Sequence, residues 1–153
     1  MAELKTIYGL TASIGTAYAT NTWTYASLGD GIDNVSESLN EVVGQYFFMA
    51  DGGFATNHVT GLAPTFTLTG RRIVGDTAQD YIFSKKYSLG DNRKSSFKLE
   101  WIDGQATPKK QTLTVDCTIC NIQEWSGAST DDSAISFEIR FDGAPTITES
   151  AVS

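Results

Sequence analysis

The sequence predicts a mainly β domain, a sandwich or barrel with one helix packed on it. Three observations carry that prediction. Several segments alternate apolar and polar residues with a period of two, the pattern of half-buried strands. Gly-, Asp- and Thr-rich breaks separate them at short intervals. Only the stretch near residues 77–86 carries helix-start signals, with Asp76 as N-cap and Gln79 three residues on to complete a capping box.

Taken in order, residues 1–21 are small, polar and weakly patterned. They read as an arm that is disordered or orders on a neighbour. Trp23, Tyr25 and Ser27 alternate with Thr22, Thr24 and Ala26 in a first strand that ends at Gly29-Asp30-Gly31. Ile32 to Glu41 reads as a polar loop with Ile32, Val35 and Leu39 as its apolar residues, and loops of this length order against a partner. The run VVGQYFFM from Val42 to Met49 is apolar on both faces, which predicts a strand covered on two sides. Asp51-Gly52-Gly53 is a hairpin turn, and a weaker strand follows from Phe54 to Val59.

Thr65 to Thr69 places Phe66 and Leu68 on one face and three threonines on the other. The helix is expected from about Thr77 to Lys86, turning Ala78, Tyr81, Ile82 and Leu89 to a core. Acids at its start and Lys85 and Lys86 at its end agree with its dipole. Beyond it, Phe97, Leu99 and Trp101 oppose Ser96, Lys98 and Glu100 in another strand. Leu113, Val115, Cys117 and Ile119 mark the clearest one, and Ile135, Phe137, Ile139 and Phe141 the last. The whole chain, 1–153, reads as a single domain with about seven strands: an arm over 1–21, a β-rich core over 22–145 and a tail over 146–153 with no fold of its own.

Composition narrows the function. A net charge of -7 and a pI near 4.5 argue against a protein that grips nucleic acid by its phosphates. Charge is also segregated: residues 1–70 carry six acids and one base, 71–110 five acids and nine bases, and 111–153 seven acids and one base. Opposed flanks of this kind steer copies together and set their register. His58 is the single histidine, so neither a His-dependent triad nor a multi-histidine metal site can be assembled. Cys117 and Cys120 stand three apart in an alternating strand and point to opposite faces, so they read as free thiols. No phosphate-cradling glycine loop occurs. No catalytic residue, cofactor or metal is expected, and neither a targeting segment nor a membrane-spanning run is evident. Trp23, Trp101 and Trp125 leave a rival reading, a carbohydrate-binding sandwich whose tryptophans stack on sugars.

The run from Phe47 to Trp101 carries G-R-R-x-x-G-D-x-A-Q-D-Y (Gly70 to Tyr81) between two strands. A Thr-rich strand and the closing FEIRFDGAP follow. Over Trp23 to Pro145 this order of motifs resembles the major tail (tail tube) proteins of long-tailed bacteriophages. The resemblance implies a tail-tube-like β-sandwich whose copies form hexameric rings stacked into a hollow tube in the virion. It also implies a tape measure protein in the lumen, terminator and baseplate or distal tail proteins at the ends, and passage of DNA without binding. A tube of a bacteriocin-like or type VI injection system is the related alternative. On this reading the candidate lumen-facing residues are Thr67, Glu100, Thr114 and Asp116, the acids repelling phosphate. The candidate contacts between subunits or rings are Ile32, Val35, Glu37, Leu39, Arg71 and Arg72.

Overall fold

The computed structural model describes residues 4–104 and 107–152; the first three residues of the expected arm and Ser153 of the expected tail lie outside the described residues. The described chain contains β1 (Thr11–Ala19), β2 (Thr22–Ser27), β3 (Ile32–Ser38), β4 (Val42–Tyr46), β5 (Thr56–Gly61), β6 (Thr65–Arg71), α1 (Thr77–Ser84), β7 (Lys94–Asp103), β8 (Lys109–Gln123), β9 (Ala134–Phe141) and β10 (Thr146–Ala151). One antiparallel sheet runs in the order β2-β1-β7-β8-β9-β6-β3, with β10 added beside the first half of β8, while β4 and β5 form a separate two-stranded ribbon.

Period-two alternation sets the register. Phe97 pairs with Val115, Leu99 with Leu113, Ile119 with Ile139 and Leu68 with Phe137, so one face of four neighbouring strands is apolar throughout. That face must be enclosed, and the chain encloses it by curling the sheet on itself. β2 and β3 lie at opposite ends of the sheet, yet only residues 28–31 join them. Such a link spans at most about 18 Å. The two ends therefore meet, and the Phe66 ring on β6 comes within 5.5 Å of Phe97 on β7 although two strands separate them in the sheet. β2 and β3 do not pair, so the result is a sandwich-like half-barrel with a seam.

α1 packs across this half-barrel, against β1, β2 and β8. Ala78, Ile82 and Phe83 are buried, and Phe83 meets Phe137 edge-on with ring centroids 6.4 Å apart. Asp76 caps the helix as expected, its carboxylate accepting from the Gln79 backbone N–H at 3.1 Å. The helix ends at Ser84, two residues early, and Leu89 lies outside the core on the surface. The Gln79 side chain does not complete the capping box. It is fully buried, donates to the carbonyls of Asp30 (2.9 Å) and Arg71 (3.1 Å), and accepts from the Ile73 N–H (2.8 Å). One amide thus ties the helix to the β2–β3 link and to the end of β6. Beside it, Arg71 N–H donates to the Gly31 carbonyl at 2.7 Å, and a side chain at Gly70 would collide with that same carbonyl.

Three segments expected to be unstructured are strands. The second half of the expected arm is largely β1, whose Ser13, Ile14 and Gly15 are buried between β2 and β7. Its weak pattern has a packing cause: a Cβ on Gly15 would stand 2.6 Å from the Trp23 ring, so a small residue is what the neighbour leaves room for. The expected loop at 32–41 is largely β3. A bulge between Ile32 and Asn34 lets Ile32 and Val35 both face the core at a spacing of three, which breaks the alternation a strand would show. The expected tail is β10, fully exposed and held through its backbone pairing to β8, a bond type that leaves no trace in side-chain pattern. The run at 42–49 departs in the other direction: β4 is a strand, but nearly all of it is exposed.

Replacing Gln79 with Leu fills the same space but leaves two carbonyls and one N–H without their partner, which costs about 3 kcal/mol. The expected result is a lower urea midpoint with an unchanged slope. An unchanged midpoint would show that the helix is not held this way.

Candidate assembly surfaces

Cross-strand register places Thr67, Glu100, Thr114 and Asp116 on one continuous face, opposite the core. Thr114 pairs with Lys98, Glu100 with Thr112, Asp116 with Ser96, and Thr67 with Glu138. Asp116 is exposed and the other three are half-buried. The face is rich in threonine, but it is not acidic as expected. Its acids Glu100, Asp116, Glu138 and Asp142 are matched by Lys94, Lys98, Lys110 and Arg140. Glu100 bridges Lys110 and Lys98, Glu138 bonds Arg140 at 2.9 Å, and Asp142 bonds Lys94 at 3.2 Å. Bonding to Lys110 holds the Glu100 carboxyl below the usual range despite partial burial, with Lys98 adding to it. Lys98, awkward on an acidic face, also sits 4.5 Å over the Tyr25 ring. Among the described residues, Asp116 is the one of the four acids without a basic partner.

The residues expected to make contacts between copies separate into two groups. Ile32 and Val35 are committed to the subunit's own core, because β3 is a strand and not a loop. Glu37 and Leu39 are exposed, and Glu37 borders a groove lined by residues 4–7 and by Trp101. Arg71 is exposed and donates to the Asp132 carbonyl at 3.0 Å. Arg72 is largely enclosed. Its guanidinium bonds Glu124 at 2.7 Å and Asp80 at 2.9 Å and lies 4.8 Å over the Phe83 ring, while Lys86 takes the other Glu124 oxygen. Burial opposes the charge on Arg72, and the bonds to Glu124 and Asp80 outweigh it, so its pKa is raised. The same bonds, first from Arg72 and then from Lys86, hold Glu124 below the carboxylate range. This cluster clasps α1 and the β6–α1 loop to the end of β8, so the charge of Arg72 is spent inside the subunit.

A surface that the sequence reading did not single out is the β4–β5 ribbon. It prolongs the β3–β6 pair beyond a bend at Asn40, whose left-handed backbone (φ 47°) and bond to the Ala63 carbonyl at 2.9 Å turn the ribbon away. Val42, Val43, Tyr46, Phe47, Phe48, Phe54 and Val59 are exposed, and Met49 wholly so. Tyr46 and Phe48 stack at 5.8 Å, which stiffens the tip without hiding it. A two-stranded ribbon is at best marginally stable alone in water, and this one carries a cluster of exposed apolar side chains on β4 and at its tip. The signal was present: a run apolar on both faces requires two covers, and within one subunit they are missing.

Other chemistry is sparse among the described residues. No group of three His, Cys, Asp or Glu could hold a metal ion, and no helix is long and apolar enough to cross a membrane. Cys117 is buried and Cys120 half-buried, both free, and burial pushes the Cys117 thiol pKa far up. The tryptophans share no platform: Trp101 packs against the core, Trp23 lies against Gly15 and 5.1 Å from the Tyr18 ring, and Trp125 alone is well exposed.

No family model matches the sequence, and neither does any curated protein. Solved structures do resemble the fold. A chain from the tail of an empty gene transfer agent particle, refined with C6 symmetry, aligns with a TM-score of 0.64 at 13% identity over 95% of this chain and 99% of that one. One from the virion of a native gene transfer agent particle gives 0.67 at 11% identity over the same shares. One from the sheath–tube complex of an extracellular contractile injection system gives 0.55 at 14% identity, over 96% and 91%. The chain has the fold of subunits in phage-like tails and tubes.

Because Glu124 is held below its ordinary value, the ion cluster contributes stability above the usual carboxylate range and loses it as pH falls through the lowered folded value. Glu124→Gln is therefore expected to cost about 2 kcal/mol at pH 7, with the gap to the parent chain closing on acidification. Urea midpoints at neutral and acid pH check it, and a gap that stays constant with pH contradicts the clasp.

Proposed function

We propose that this chain is a structural tube subunit whose copies join into rings and stack into the hollow tail tube of a phage-like particle. The observation that carries the proposal is the uncovered apolar ribbon β4–β5 on a fold shared with tail and tube subunits. Such a ribbon finishes its burial only against other copies, and ring closure also removes the free edges of β2 and β3. Sixfold rings are supported by the C6 symmetry of the similar gene transfer agent tail.

The Thr-rich face of β6–β9 is the lumen lining in this reading, with Thr67, Glu100, Thr114 and Asp116 on it. Passage without retention then rests on charge already neutralised inside each subunit, since no free cation row is offered to phosphate. Arms of adjacent rings would meet through Glu37, Leu39 and Arg71 as well as the ribbon. A tape measure protein would occupy the lumen during assembly, with terminator and baseplate proteins closing the ends. Chains from the cap of an anti-feeding prophage tube and from the sheath/tube terminator of an extracellular contractile injection system also share the fold, which supports the terminator contact. The chain is a virion component with no catalytic role. The likeness to contractile injection systems supports a second reading, the same tube carrying a different cargo.

Electron microscopy of the purified chain over a range of concentrations, with a tail initiator added if needed, is expected to show hollow tubes or rings. Phe47→Ser/Phe48→Ser/Met49→Ser is expected to abolish assembly while leaving circular dichroism and melting unchanged, because these side chains lie outside the core. Normal tubes from the triple variant would remove the ribbon from the interface.

A further inference from the structure

His58, the chain's single histidine, stands exposed on the β4–β5 ribbon that the tube reading buries between copies. Register sets its surroundings. His58 pairs with Gly44, where an added Cβ would stand 2.9 Å from Tyr46 Oη, so the Tyr46 ring leans over the glycine. There it meets the imidazole at a steep angle, ring centroids 6.1 Å apart, and stacks on Phe48 at 5.8 Å. Phe48, Tyr46 and His58 thus make one row of rings on one side of the ribbon.

The ribbon is a sheet of its own, so the groups that face His58 come from β4, β5 and the tip between them. The strands VVGQY and TNHVTG hold no acid and no other base, and their one further titratable group is the Tyr46 phenol. Glu41 lies at the ribbon's base and Asp51 at its tip, and Asp51 accepts from the Thr56 hydroxyl at 2.8 Å. Among the described residues, no ion pair includes His58. A neutral imidazole is one more ring in an apolar row. An imidazolium brings to it a charge that no carboxylate of the ribbon pairs, and burying such a charge is costly.

Resting on the tube reading, we propose that His58 makes assembly through the ribbon acid-sensitive, its protonation releasing one copy from the next. The interface takes the neutral ring, so assembled copies bind fewer protons than free ones. Cohesion is therefore full above the imidazole range and is lost as pH falls through it. Glu100 and Glu124, held below the carboxylate range by their basic partners, keep their charge over the same window.

Critical concentrations for assembly of the full-length chain, with a tail initiator if needed, test this at about pH 7.5 and about pH 5.5. The parent's value is expected to rise about tenfold on acidification, the loss that excluding one imidazole proton per copy allows. His58→Gln and His58→Phe, uncharged at both pH values, are each compared with themselves across the two, and that rise is expected to disappear. A parent that assembles equally well or better at the lower pH would overturn the role of His58 and leave the tube reading standing. Variants that keep the parent's rise would do the same, placing the proton elsewhere. A parent that forms no rings or tubes even at neutral pH would instead remove the tube reading itself.

Discussion

The constraint on which the rest of this structure depends is the short link between β2 and β3. Two strands at opposite ends of one sheet are joined by residues 28–31, so the sheet has to curl until its ends meet. The buried Gln79 amide then holds that closure by bonding the link, the end of β6 and the following loop at once. An unpaired amide there would be costly, which makes a satisfied one specific: the helix fits in a single position. From this closure follow the enclosed aromatic core of Phe66, Phe97 and Phe137 and the outward-facing Thr-rich side.

Electrostatics divides along the same line. Inside the clasp, Arg72 and Lys86 share Glu124, and the cluster joins elements far apart in sequence. On the polar face, each cation pairs with an acid of its own subunit. The net charge of -7 therefore comes largely from elsewhere: the β2–β3 region, the ribbon and the loop after β8. In the proposed role of tube lining, this face, uncharged in sum and internally paired, would let a polyanion pass by offering no counterion to exchange and not by repulsion.

The subunit is well packed in its half-barrel and unfinished at its ribbon. A fold that satisfies its buried side-chain polar groups while exposing a run of aromatic residues leaves apolar surface that its own chain does not cover, which is what the proposed assembly would bury. The helix exit shows the same division at smaller scale, with Arg93 engaged by three carbonyls and Tyr87 and Leu89 left to solvent.

Local sequence pattern by itself determined the mainly β class, the strands built on Phe66, Phe97, Val115 and Phe137, the single helix with its Asp76 cap, and the polar side of its own strand that each of Thr67, Glu100, Thr114 and Asp116 takes. Each of these is a local pattern with a direct geometric meaning. What tertiary structure alone decided was everything that periodicity cannot encode. β1 is hidden because packing against Trp23 demands small residues, and β3 because a bulge changes the spacing of Ile32 and Val35. β10 is hidden because its pairing is made by backbone groups common to all residues. The pairing partners of Glu100 and Arg72 were equally out of reach, since Lys110 and Glu124 become neighbours only when the sheet folds. The run VVGQYFFM announced that it needed two covers, but only the fold could show that its own subunit supplies neither, because burial is a property of neighbours and not of the segment that needs them.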